Sequence, residues 1–97
     1  MNFEFHPEAR LEFIDAVAFY EKSSEGLGLR FSREVFATIN RVTASPNSWP
    51  RITDNTRRCF THRFPYSVVY EIREQDVLVV AVAHFSRKPF YWSERTQ

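Results

Sequence analysis

The longest apolar run of the chain lies near its C-terminus. Seven apolar residues, Val77 to Ala83, follow one another without a polar interruption. A valine-rich run of this length is typical of a strand buried on both faces. It is much shorter than the roughly 20 residues that a membrane-spanning helix needs. The run therefore predicts the central strand of a sheet and excludes a membrane span.

Shorter stretches of alternating apolar and polar residues predict three more strands. Residues 2–6 and 67–73 alternate regularly, so each should bury one face. Residues 56–62 alternate poorly, which indicates an outer strand with one solvent-exposed face. Cys59 lies in this outer strand and is interpreted as a buried structural residue rather than a nucleophile.

Two segments between the first and second strands repeat apolar residues with helical spacing. Pro7 suits the first position of a helix over residues 7–24, and Ser45-Pro46 ends a second helix over residues 29–44. Gly26 and Gly28 are placed in the turn between them. The apolar stripes consist of Phe13, Val17 and Tyr20 in the first helix, and Phe31, Val35, Ile39 and Val42 in the second.

The order of these elements is β-α-α-β-β-β, which predicts a single α+β domain over residues 1–97. Short connections make the last three strands an antiparallel meander. We expect the first strand to complete an antiparallel sheet, and the helical hairpin to pack on one face. Residues 89–97 are predicted to form a helical turn. Core packing should account for most of the ten phenylalanines, with some rings exposed for a partner.

The basic residues are concentrated in the second half of the chain. Residues 1–48 hold five Lys/Arg and seven Asp/Glu, a net −2, whereas residues 49–97 hold eight and five, a net +3. Eleven of the thirteen basic residues are arginine, which favours bidentate contacts with phosphate or carboxylate. The alternative is a solvated charge pattern with no role in recognition. A single cysteine and the absence of a signal-like N-terminus predict a cytoplasmic protein.

Nine polar side chains form a possible cluster: Arg57, Arg58, His62, Arg63, His84, Arg87, Lys88, Tyr91 and Arg95. They belong to the second strand, the turn after it and the segment after the last strand, and we expect some of them to converge on the uncovered sheet face or its edge. Arginines stabilise phosphate charge, and His84 or Tyr91 can transfer protons. Alternatively, His84 is a hydrogen-bonded histidine at a strand end, and Tyr91 caps the core. No cofactor is predicted, since neither metal-ligand spacing nor a glycine-rich phosphate loop occurs.

Five groups of residues, spread over nearly the whole chain, form a recognisable pattern. They are Phe19-Tyr20-Glu21, Gly28-Leu29-Arg30-Phe31, Ser45-Pro46-Asn47-Ser48-Trp49-Pro50, Arg63-Phe64-Pro65-Tyr66 with Val69-Tyr70, and Ala81-Val82-Ala83-His84 with Arg87, Pro89, Tyr91-Trp92 and Arg95. In the order and spacing of these motifs the sequence resembles the RelE/ParE family of toxins from bacterial type II toxin–antitoxin systems. The resemblance implies the same β-α-α-β-β-β fold and a growth-inhibiting toxin that a cognate antitoxin protein neutralises within a toxin–antitoxin hetero-oligomer.

The resemblance leaves two targets and one inactive alternative. RelE-like members cleave mRNA on the ribosome without a metal, often with a C-terminal tyrosine, to which Tyr91 corresponds. If the chain is such a nuclease, the resemblance implies five candidates for catalysis: Arg58, Arg63, His84, Arg87 and Tyr91. ParE-like members poison DNA gyrase. The chain has Ser67 and Phe85 where RelE-like members carry arginines, and its ending from His84 to Arg87 is more similar to ParE. We therefore expect action on gyrase, with an mRNA endonuclease or an inactive complex-forming member as alternatives.

Overall fold

The computed structural model describes residues 1–96, so the final residue of the predicted C-terminal turn, Gln97, lies outside the described part. Its elements follow the predicted β-α-α-β-β-β order. They are β1 (Asn2–Phe5), α1 (Pro7–Ser23), α2 (Leu27–Ala44), β2 (Arg57–Phe60), β3 (Tyr66–Arg73) and β4 (Asp76–His84), followed by a 3₁₀ turn (Ser93–Arg95). The α+β prediction is confirmed.

The four strands form one sheet in the order β1-β4-β3-β2. β2, β3 and β4 pair antiparallel, as predicted for the meander. β1 instead runs parallel to β4, so the expectation of a wholly antiparallel sheet is corrected to a mixed one. A parallel pair needs a long crossover between its strands, and here the two helices, β2 and β3 provide it.

The helical hairpin covers one face of the sheet. The predicted stripe of α2 is fully buried and packs with α1 and with alternate residues of β3 and β4, including Val68 and Val79. Gly26 adopts a φ of +84° in the turn, a conformation that favours glycine. Gly28 lies inside α2 rather than in the turn. A Cβ on Gly28 would lie 2.7 Å from the Val17 carbonyl oxygen, so its lack of a side chain permits close contact between the helices.

The other face of the sheet is covered only in part. Trp92, from the segment after β4, is buried there against Val80 and Ala81. The β3–β4 register passes from Ala81 to Val79, which leaves Val80 as an extra residue in β4. Such a bulge twists the strand locally and allows Val80 and Ala81 to share one face.

Half of the ten phenylalanines are exposed, so the expectation that some rings remain exposed is confirmed. Core packing accounts for the other five and in part for Phe36, which contacts the rings of Phe3, Phe5 and Phe13. The exposed ones are Phe19, Phe36, Phe60, Phe85 and Phe90. Three of them border the partly covered face of the sheet, where they line a groove.

Candidate functional site

A groove lies on the partly covered sheet face, between β2, the end of β4 and the C-terminal segment. It encloses about 550 Å³. Val69 and Ala83 lie in its apolar lining with the buried Ser67. The exposed rings that line it are Phe60, Phe85 and Phe90, and the cationic side chains are Arg58, Arg87 and Lys88. No carboxylate belongs to the lining within residues 1–96.

The rings and cations of the groove interact with one another at one rim. Phe60 and Phe85 meet edge to face with their centroids 5.5 Å apart, and both are more than half exposed. The Arg58 guanidinium lies over the Phe60 ring, 5.0 Å from its centroid. An exposed aromatic pair of this kind leaves apolar area in water, a feature common at interaction sites.

A second arrangement, here named the Glu12 cluster, consists of Glu12, Arg87, Tyr91 and Arg95. Arg95 donates two hydrogen bonds to the Glu12 carboxylate, at 3.0 and 3.1 Å, and the Tyr91 hydroxyl donates a third at 2.7 Å. Arg87 lies 3.8 Å from the same carboxylate and stacks on the Tyr91 ring, 3.8 Å from its centroid. The cluster therefore ties the C-terminal segment to α1.

The Glu12 cluster also forms hydrogen bonds with the edge of β4 beyond the point where β1 ends. On the edge of β4 that faces β1, the His6 N–H donates a hydrogen bond to the Val79 carbonyl at 2.9 Å. Beyond it, the Val82 N–H donates to Glu12 at 3.0 Å, and the Val80 carbonyl accepts from Arg95 at 3.1 Å. Side chains thus satisfy backbone groups of a strand edge that would otherwise lack partners.

Tyr91 is held as a neutral hydrogen-bond donor. Burial raises the pKa of its hydroxyl well above the ordinary value, and the hydrogen bond to the anionic Glu12 raises it further. For Arg95, burial lowers the pKa, but the hydrogen bond and charge of Glu12 outweigh that effect and raise it overall. Both groups therefore keep their protons at neutral pH.

His84 is engaged in local contacts at the end of β4. Its Nδ1 lies 2.7 Å from the Ser86 hydroxyl and accepts from the Ser86 N–H at 3.0 Å. Its ring meets Tyr66 edge to face at 5.0 Å. His84 therefore caps the turn that follows β4 while its partly exposed ring borders the groove.

Four of the five predicted site residues border the groove: Arg58, His84, Arg87 and Tyr91. Arg63 does not belong to the lining, because it lies exposed in the turn before β3 with a φ of +69°. The contacts of these five residues assign no catalytic step to any of them, and their catalytic role stays a prediction.

Glu12 is the residue that the sequence analysis missed. It lies off the predicted apolar stripe of the first helix, although its side chain is only 15% exposed. The signal that points to it is modest: a carboxylate set among Leu11, Phe13 and Ile14, where burial requires a partner. Its partners Tyr91 and Arg95 lie 79 and 83 residues away in the chain.

Within residues 1–96, no group of three or more His, Cys, Asp or Glu side chains could hold a metal ion. Neither helix of this part combines the length and apolarity needed to cross a membrane.

A sequence profile described as "ParE toxin of type II toxin-antitoxin system, parDE" matches residues 3–89. The chain belongs to this toxin family. A solved structure titled "Chromosomal ParDE TA system from P. aeruginosa" has the same fold, with a TM-score of 0.71 at 13% identity. The match covers 87% of this chain and 95% of that one. A search of curated protein sequences finds no relative of this ParE-family toxin.

Proposed function

We propose that this ParE-family toxin arrests growth in the cytoplasm by binding DNA gyrase, and that a cognate antitoxin protein neutralises it. In this proposal the toxin acts through contact with another protein and does not cleave RNA. The resemblance to ParE in the ending from His84 to Arg87 supports gyrase as the target.

The observation that carries the proposal is the composition of the groove. Ser67 and Phe85, at the two positions where RelE-like toxins carry arginines, both line it. A small hydroxyl and an exposed ring cannot neutralise the charge that develops on a phosphate during cleavage. The groove therefore lacks two cations that the ribonuclease alternative relies on, and it gains apolar surface instead.

The state of Tyr91 also favours binding over catalysis. A tyrosine that moves protons needs a pKa near the working pH. Burial and Glu12 shift the pKa of Tyr91 in the opposite direction, and its hydroxyl already donates to Glu12. Tyr91 is thus better suited to holding the C-terminal segment than to acid–base catalysis.

Two assays on the same toxin preparation test this proposal. Purified toxin should inhibit plasmid supercoiling by purified gyrase, and addition of the antitoxin should restore supercoiling. Primer extension on cellular mRNA after induction should show no new 5′ ends. Unchanged supercoiling at excess toxin, together with new 5′ ends, would establish the mRNA endonuclease instead. Absence of growth arrest on expression without the antitoxin would indicate an inactive, complex-forming member.

A further inference from the structure

The groove has three properties of a surface that binds a partner. Its lining is mostly apolar, its exposed rings lie at the rims, and its charged side chains are all cationic. The side chains of Arg58 and Lys88 form no hydrogen bond or ion pair within residues 1–96. Two cations without counter-charges beside exposed rings favour an acidic partner with apolar side chains.

The aromatic contacts distinguish a peptide from single-stranded nucleic acid. Base stacking needs an open ring face beside the cations. Here the Arg58 guanidinium covers a face of Phe60, and the Arg87 guanidinium covers a face of Tyr91 at 3.8 Å. Trp92 is buried, with only 4% of its surface exposed. Of the five Phe, Tyr and Trp rings in the lining, only Phe85 and Phe90 are both exposed and without a guanidinium over them. Two such rings suit a few apolar side chains of a peptide better than a run of stacked bases.

We infer that the groove docks a short acidic peptide segment of the toxin's protein target, with apolar side chains between carboxylates. The apolar side chains pack against Phe60 and Phe85, while the carboxylates pair with Arg58 and Lys88 on the rims. The inference rests on the proposed function in one respect only, namely that the toxin acts by contact with another protein.

Selection from a library of short random peptides tests the inference without gyrase. Peptides displayed on phage are selected on immobilised wild-type toxin and counter-selected on the Phe60→Ser/Phe85→Ser variant. The enriched sequences should carry Asp or Glu on both sides of aromatic or aliphatic residues. The most enriched peptide, labelled with fluorescein, is then titrated with toxin variants and followed by fluorescence anisotropy.

Charge reversal at Arg58 and Lys88 should weaken the binding of this peptide, and matched charge reversals elsewhere should not. Arg58→Glu/Lys88→Glu should lower the affinity about tenfold or more, because two attractive pairs become repulsive. Arg30→Glu/Arg33→Glu makes the same change in net charge on exposed residues of α2 and should alter the affinity less than about twofold. Thermal melting confirms that each variant is folded.

Three results would overturn the inference. The selection yields no acidic peptide whose binding depends on Phe60 and Phe85. Labelled oligothymidine or oligouridine, tested in the same assay, binds the groove in preference to the peptide. Sedimentation shows that the toxin self-associates through Phe60 and Phe85, so that a second copy fills the groove. Peptide binding with no effect on gyrase would refute the proposed target but leave the docking surface intact.

Discussion

The Glu12 cluster and the groove share the segment after β4, yet they use their polar groups in opposite ways. In the cluster, one carboxylate accepts four hydrogen bonds, from Arg95, Tyr91 and the Val82 N–H. In the groove, Arg58 and Lys88 have no carboxylate partner within residues 1–96. Satisfied polar groups stabilise a fold, whereas cations and rings left in water are available to a partner. We therefore assign a structural role to the Glu12 cluster and a role in recognition to the groove.

The groove depends on the Glu12 cluster, but the cluster does not depend on the exposed residues of the groove. The Glu12 cluster holds Arg87 and Tyr91, which form a wall of the groove. Damage to the cluster should therefore disturb both stability and the groove. Damage to exposed groove residues should leave the cluster intact.

Removal of the central carboxylate should have the largest effect. Glu12→Ala removes the carboxylate from the mostly buried Arg95 guanidinium, which keeps only its bond to the Val80 carbonyl, and leaves the Val82 N–H without its acceptor. We expect a loss of about 3 kcal/mol in the free energy of unfolding, because breaking a buried pair strands a charge. Chemical denaturation measures it. Asp15→Ala, on the same helix but exposed, should change stability by less than about 0.5 kcal/mol.

The same Glu12→Ala substitution should loosen the edge of β4 that Glu12 covers. Amide hydrogen exchange at Val82 should become faster than in the wild type, because its N–H loses a bonded acceptor. Equal exchange rates in the two proteins would show that Glu12 does not hold this edge of the sheet.

Removal of the Tyr91 hydroxyl should have a smaller effect, with a characteristic dependence on pH. Tyr91→Phe deletes the bond to Glu12 and should cost about 1 kcal/mol at neutral pH. The pKa of Tyr91 is raised in the folded protein, so above pH ~10 the unfolded chain loses this proton first. Wild-type stability should therefore fall as the pH rises through this range.

The difference in unfolding free energy between the wild type and Tyr91→Phe isolates the contribution of the Tyr91 hydroxyl. Its contribution should decline above pH ~10 by less than about 1.4 kcal/mol per pH unit, since the ring is only half-buried and solvent screens the charge. Urea denaturation between about pH 8 and pH 11 measures both curves. Parallel curves would contradict the assignment of a raised pKa to Tyr91.

Local sequence patterns predicted which positions of the strands and helices are buried. The apolar run of β4 and the stripe Phe31, Val35, Ile39 and Val42 are buried as expected, because periodicity records which face is covered. The parallel pairing of β1 was missed, since a short strand carries no information about the direction of its neighbour. Gly28 was placed in the turn because its close approach to α1 is a property of the packed pair of helices.

The candidate site was predictable only in part. The meander brought Arg58 and the segment after β4 to the same face, as its topology requires. The Glu12 cluster was missed because its bonds join residues about 80 positions apart, and no local pattern indicates such a partner. Some exposed rings were expected, but Phe60 and Phe85 were not identified among them, since a phenylalanine in the sequence is most simply assigned to the core.

Gyrase inhibition by the Phe60→Ser/Phe85→Ser variant tests the division between the two regions most directly. Both rings are more than half exposed and their edge-to-face contact is the main loss, so the unfolding free energy should fall by no more than about 1.5 kcal/mol. The concentration needed to inhibit supercoiling should rise about tenfold or more. Phe19→Ser, which removes an equally exposed ring on α1, should leave inhibition unchanged. Full inhibition by the stable double variant would contradict the assignment of target recognition to the groove.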